Sequence, residues 1–156
     1  MRKLILIVAV VGCTAAAVFL YRCHLVRQVR FNLIVLADYL NAYHFLHPEP
    51  LKDFSQMPEF DIISPSESLG IKGADLRSGR LQGYKYALHW TNKNEYFITA
   101  APDGILTPAV EYAVTNAGEL KMKAGGGGDT IEEIKTWPAV ENRENYRTRE
   151  LPGYLQ

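Results

Sequence analysis

Residues 1 to 47 constrain everything that follows. Leu4 to Tyr21 (LILIVAVVGCTAAAVFLY) is a run of 18 residues without a charge. At about 1.5 Å per residue it is long enough to cross a hydrocarbon layer of roughly 30 Å if little tilted. No proline interrupts the chain from there to Pro48, and past Arg22 the pattern changes. Leu25, Val26, Val29, Leu33, Leu36, Tyr39, Leu40, Tyr43 and Leu46 recur at intervals of three and four, the apolar stripe of an amphipathic helix. The sequence predicts one long helix, or two nearly continuous ones, over Arg2 to His47. Its first half lies in lipid and its second half against a small domain.

Of the 156 residues, roughly 100 are left for a single domain. A core that small needs the amphipathic stripe as part of it. The formal net charge is zero, so no nucleic-acid-binding patch is implied. The two cysteines, Cys13 and Cys23, lie in or beside the apolar run, which leaves neither a disulfide framework nor a zinc spacing.

Three readings of the N-terminus follow from the same residues. In the first, residues 1–21 are an uncleaved single-pass anchor with Arg2 and Lys3 on one flank and Arg22 on the other. In the second, Val10-Val11-Gly12-Cys13 is a lipoprotein signal and Cys13 carries the lipid. In the third, Ala15-Ala16-Ala17 marks the cut of an ordinary signal peptide. A lipoprotein usually continues into a polar tether, whereas Thr14 to Leu20 stays apolar and the helical pattern runs on. This favours the anchor. Cations flank both ends of the run, so charge alone does not orient it.

His47-Pro48-Glu49-Pro50 ends the helix. Leu51 to Met57 has room for one short helical turn, and residues 48–82 read as loop. The sheet is expected over 83–123. Tyr84, Tyr86, Leu88 and Trp90 alternate with Lys85, Ala87 and His89, and strands at 95–101, 110–114 and 119–123 follow after short turns. Strands this close are most simply an antiparallel meander. The fold class is therefore α+β, with the long helix covering one face of a small antiparallel meander. The helix–sheet core is expected from Leu33, Leu36, Leu40 and Tyr43 on the helix and from Tyr84, Tyr86, Trp90, Tyr96 and Tyr112 on the sheet. Residues 125–156 read as a glycine linker, a short helix at 129–136 and a polar tail.

The order of elements resembles the type IV pilin and type II secretion pseudopilin architecture. The residues that carry the likeness are Leu36-Ala37-Asp38-Tyr39-Leu40-Asn41-Ala42-Tyr43 in the helix, then Gly83-Tyr84-Lys85-Tyr86, Tyr96, Ala100-Ala101-Pro102, Tyr112-Ala113-Val114 and Gly118-Glu119-Leu120. The likeness covers roughly residues 4 to 123. It implies a non-enzymatic, membrane-anchored structural or assembly protein of a secretion or pilus-type envelope system. The domain would be periplasmic or otherwise extracytoplasmic, with membrane lipid and other proteins as partners through the apolar helix. Gly12, Ala15, Ala16 and Ala17 would then form a small-residue face for helix packing. The chain departs from the family in lacking a Gly-Phe-Thr-Leu-Ile-Glu type cleavage signature and any Glu within the run. A pilin-like protein that does not polymerise is the expectation. A different class of protein also fits, a periplasmic lipoprotein acylated at Cys13 that binds a ligand or a protein.

No site for chemistry is expected, and no cofactor. His44 and His47 are one helical turn apart but lack a third ligand. Some pseudopilins hold calcium in C-terminal acidic loops, which points to Asp129, Glu132 and Glu133, yet their spacing suits capping of a short helix better. Gly125 to Gly128 is followed by no Lys-Ser/Thr, so it is a linker and no phosphate loop. Ser64, Ser66, Ser68 and Ser78 lack a nucleophile-elbow context, and His89 is expected on a solvated sheet face.

Overall fold

A computed structural model describes residues 2–47, 49–56, 61–63, 70–72, 76–125 and 130–140, with side chains from residue 7 onward in the helix and none at 61–63 and 70–72. Its first element, α1 (Arg2–Leu46), is one unbroken 45-residue helix, about 67 Å long at 1.5 Å per residue. Beyond it come a 3-10 turn at Phe54–Gln56 and then β1 (Asp61–Ile63), β2 (Gly70–Lys72), β3 (Arg80–Leu81), β4 (Tyr84–Asn92), β5 (Glu95–Pro102), β6 (Val110–Thr115) and β7 (Leu120–Ala124). A short helix, α2 (Ile131–Thr136), follows.

Strands β3 to β7 form a five-stranded antiparallel sheet in sequence order, while β1 and β2 pair separately. The protein is therefore α+β, a long N-terminal helix packed on an antiparallel meander. Residues 48–82 are not all loop, since β1, β2 and β3 lie within them, and the sheet begins at Arg80. A two-residue strand is too short to show alternation. It exists because Gln82 and Gly83, with φ of 53° and 78°, make the tight reversal of a two-residue hairpin whose central residues both need positive φ.

One face of the sheet lies on α1. Leu25, Val29, Leu33, Leu36, Ala37 and Leu40 pack on Tyr84, Tyr86, Tyr96, Ile98, Tyr112 and Val114 in one core. Tyr43 and Trp90 are half-buried against it. The buried arc of α1 is wider than the stripe read from sequence, for Gln28, Phe31, Asn32 and Ile34 are buried too. Its upper end is narrower. Leu46 is 67% exposed and Phe45 90%, so the last turn stands clear of the sheet.

The other face of the sheet is covered as well. Phe97 and Ala113 are buried with Ile131, Ile134 and Trp137 of the α2 segment. Thr130 caps α2, its side chain accepting from the Glu133 amide. Residues 138–140 then pair along β7, with Met122 N–H donating to Pro138 O and Val140 N–H to Leu120 O. Ala139 and Val140 thus belong to the domain and not to a tail. Residues 126–129 and 141–156, the rest of the expected linker and tail, lie outside the described residues.

Candidate functional site

The surface that sets this chain apart is the N-terminal part of α1. Every described side chain from Ile7 to His24 is exposed except Val18, which is half-buried; the first buried one is Leu25. Ile7, Val8, Val10, Val11, Phe19, Leu20 and Tyr21 all face outward. An apolar helical surface of this extent is consistent with a membrane anchor. The Thr14 hydroxyl is satisfied locally, donating to the Val10 carbonyl at 2.9 Å, as a hydroxyl facing hydrocarbon would need. The helix is long and apolar enough for one membrane span.

Gly12, Ala15, Ala16 and Ala17 are all exposed on this segment. At 100° per residue, Ala15 and Ala16 flank Gly12 within about 60°, whereas Ala17 lies about 140° away. The small face is therefore Gly12, Ala15 and Ala16, extended by Ala9 one turn earlier and not by Ala17. Cys13 and Cys23 are both exposed, free thiols, and the helix runs through Cys13 without a break.

Where the helix meets the domain, polar side chains make the join. Asn32, 1% exposed, donates from Nδ2 to Gln82 Oε1 at 3.0 Å and to Tyr86 Oη at 3.2 Å. Further up, the Tyr96 hydroxyl lies 2.7 Å from Ala37 O and 2.9 Å from Asn41 Oδ1, and Asn41 Nδ2 donates to Asn116 O. The Arg30 guanidinium sits over the Tyr112 ring, 5.6 Å from its centroid, a cation–π contact. The sequence-level stripe missed Asn32 and Asn41 because a polar residue interrupts an apolar count. The signal was there in their places: Asn32 beside Leu33, and Asn41 one turn after Ala37.

The tyrosines form no open binding platform. Tyr84, Tyr86, Tyr96 and Tyr112 are buried under α1. Burial pushes the Tyr84, Tyr86 and Tyr96 hydroxyls well above the ordinary phenol range, with the neighbouring Tyr112 adding to the effect at Tyr84 and Asp38 at Tyr96. The half-buried Trp90 donates its indole N–H to Leu51 O at 2.6 Å.

His44 packs its ring on Trp90 and His47 on Tyr43, with centroids 5.6 and 4.3 Å apart, so each has an aromatic neighbour of its own. His89 is half-buried rather than solvated. It stacks on its cross-strand partner Phe97 at 4.6 Å and 7° between planes, within bonding distance of Thr99 Oγ1. Glu133 pairs with Lys123 at 2.5 Å, and Asp129 lies outside the described residues. Among the described residues no three His, Cys, Asp or Glu side chains gather as a metal site would require.

No family model, no curated protein and no solved structure matches this chain. Fold and surface together define a small α+β domain whose longest helix extends beyond it as a single candidate membrane span.

Proposed function

We propose that the protein is a single-pass, pilin-like, non-enzymatic assembly protein of the cytoplasmic membrane, its domain on the extracytoplasmic side. In this reading it works by contact with other proteins of a secretion or pilus-type envelope system. One observation carries the reading. A single unbroken helix serves as core for the domain in its second half and offers an exposed apolar surface in its first, so whatever the first half packs on is mechanically coupled to the domain. The small face at Ala9, Gly12, Ala15 and Ala16 supports close lateral packing of helices. The absence of an acidic residue in the run favours a protein that contacts such a system over one that builds its filament.

The test is the mature protein itself, purified from the membrane fraction. An N-terminus that retains the run, resistance to carbonate extraction and protease access from the outer side are the expected results. A diacylated Cys13 at the N-terminus would replace this reading with that of a lipoprotein. A mature chain beginning after Ala17 and found in the soluble fraction would overturn both.

A further inference from the structure

We infer that the turn between β5 and β6 is a second membrane contact, inserting Ile105 and Leu106 into the lipid surface beside the point where α1 leaves it. The inference rests on the anchor reading of α1 and adds to it a fixed posture of the domain on the bilayer.

Thr107 N–H donates to Gly104 O at 3.0 Å, which puts Ile105 and Leu106 at the two central positions of a four-residue turn. Those positions ordinarily go to Gly, Pro, Asn, Asp or Ser. Here they hold two large aliphatic side chains, and Ile105 is 98% exposed. The turn is held open by its own frame. Asp103 N–H donates to Gly83 O at 2.7 Å, Thr107 Oγ1 donates to the same carbonyl at 3.0 Å, and Asp103 pairs with Arg80 at 2.9 Å. Ile105 therefore cannot fold back onto the sheet.

The position of the turn identifies what it meets. The Arg22 Nε–H donates to Leu106 O at 3.1 Å, and Arg22 is the first charge after the apolar run. Helical side chains lean toward the N-terminus, so this bond draws the turn back along α1 toward the run. Val18, one turn earlier on the same side, is the one described residue between Ile7 and His24 that is not fully exposed. Exposed Phe19, Leu20 and Tyr21 lie beside it. Ile105 and Leu106 thus continue the apolar surface of the anchor sideways. A bilayer that takes up the run takes up the turn with it, as interfacial apolar groups are taken up to a depth of about 5–10 Å. The Asn92–Glu95 turn at the opposite end of the sheet carries exposed Thr91, Asn92, Lys93 and Asn94, and the exposed Phe45 and Leu46 at that end stand roughly 35 Å along α1 from the apolar run at 1.5 Å per residue.

The experiment uses the full chain with Cys13→Ala and Cys23→Ser, labelled with an environment-sensitive fluorophore at Ile105→Cys or, as control, at Asn94→Cys. Both substituted side chains are exposed, so folding is preserved. The protein is reconstituted into phosphatidylcholine vesicles with and without acyl-chain-brominated phosphatidylcholine. The expected result is blue-shifted emission from position 105 that is lost in brominated vesicles, with position 94 unaffected. Equal behaviour of the two positions in vesicles that carry the protein through flotation would overturn the inference and leave the anchor standing. A chain that fails to float with the vesicles would overturn both.

Discussion

The Tyr96 hydroxyl lies 2.7 Å from the main-chain carbonyl of Ala37, and this bond ties the central strand of the sheet to the domain half of α1. Both residues are buried. A phenol there is anchored at its ring by the core and at its tip by α1. Tyr96→Phe keeps the ring and removes the tip, so the stability of the folded domain falls by about 1–2 kcal/mol. Equilibrium urea unfolding of the full chain in detergent micelles measures it. An unchanged midpoint would show that the hydroxyl bonds water equally well.

Asn32 and Tyr86 form a buried polar pair between helix and sheet. Asn32→Leu strands the Tyr86 hydroxyl and costs roughly 1–3 kcal/mol. Adding Tyr86→Phe removes the stranded group, so the double variant is more stable than Asn32→Leu alone. The thermodynamic cycle over the four proteins reads this directly, and strict additivity would refute the pairing.

Gly83 is required twice over. Its φ is +78°, and a Cβ built there would stand 2.5 Å from Thr107 Oγ1. Gly83→Ala therefore costs at least about 1–2 kcal/mol for the left-handed backbone, with the clash added. Replacing Thr107 by Ala in that background relieves the clash and leaves the backbone strain. Melting temperatures of the two proteins in micelles give the split.

Raised phenol pKa values set an alkaline limit. In the unfolded chain Tyr84, Tyr86 and Tyr96 lose their protons near 10.0, and in the folded chain burial holds them protonated to higher pH. The stability is complete below the unfolded value and falls as pH rises above it, because the unfolded state then binds fewer protons than the folded one. Each tyrosine contributes a slope of about 1.4 kcal/mol per pH unit in that window. Near-ultraviolet circular dichroism during urea unfolding at successive alkaline pH values checks it, and Tyr96→Phe lowers the slope by one such share.

The small face of the run is testable in the same preparation. Gly12→Leu fills the place where a neighbouring helix would approach, and crosslinking of the chain to its membrane partners is expected to fall. Ala17→Leu, on another side of the helix, leaves it unchanged. Equal crosslinking of both variants to the wild-type level would remove helix packing at Gly12 from the account.

Much of this architecture was legible in the residues. Apolar spacing of three and four from Leu25 to Tyr43 marked α1, and alternation from Tyr84 to Trp90 marked β4 and its buried face, because both patterns repeat often enough to exceed chance. Leu46 carried the same spacing and is exposed, since periodicity says which side a residue is on and not where the sheet ends. The strand at Arg80–Leu81 escaped notice because two residues have no period. The α2 cover escaped because its core consists of only Ile131, Ile134 and Trp137, which a short polar segment hides. His89 is half-buried where alternation alone points to solvent, because the register of β4 on β5 sets it opposite Phe97.

Composition and periodicity along the first 47 residues were enough to establish a helix and its division at Arg22 into an apolar and an amphipathic part, and alternation over 83–123 added an α+β domain built on the second part. These depend on local spacing and on the gain from burying a contiguous apolar surface. What folding alone established is which distant residues meet: Asn32 with Tyr86, Tyr96 with Ala37, α2 with Phe97, and above all Arg22 with Leu106. That last contact joins residues 84 positions apart. No local pattern encodes it, because the meander brings the β5–β6 turn to Arg22 only after β3, β4 and β5 have been laid down.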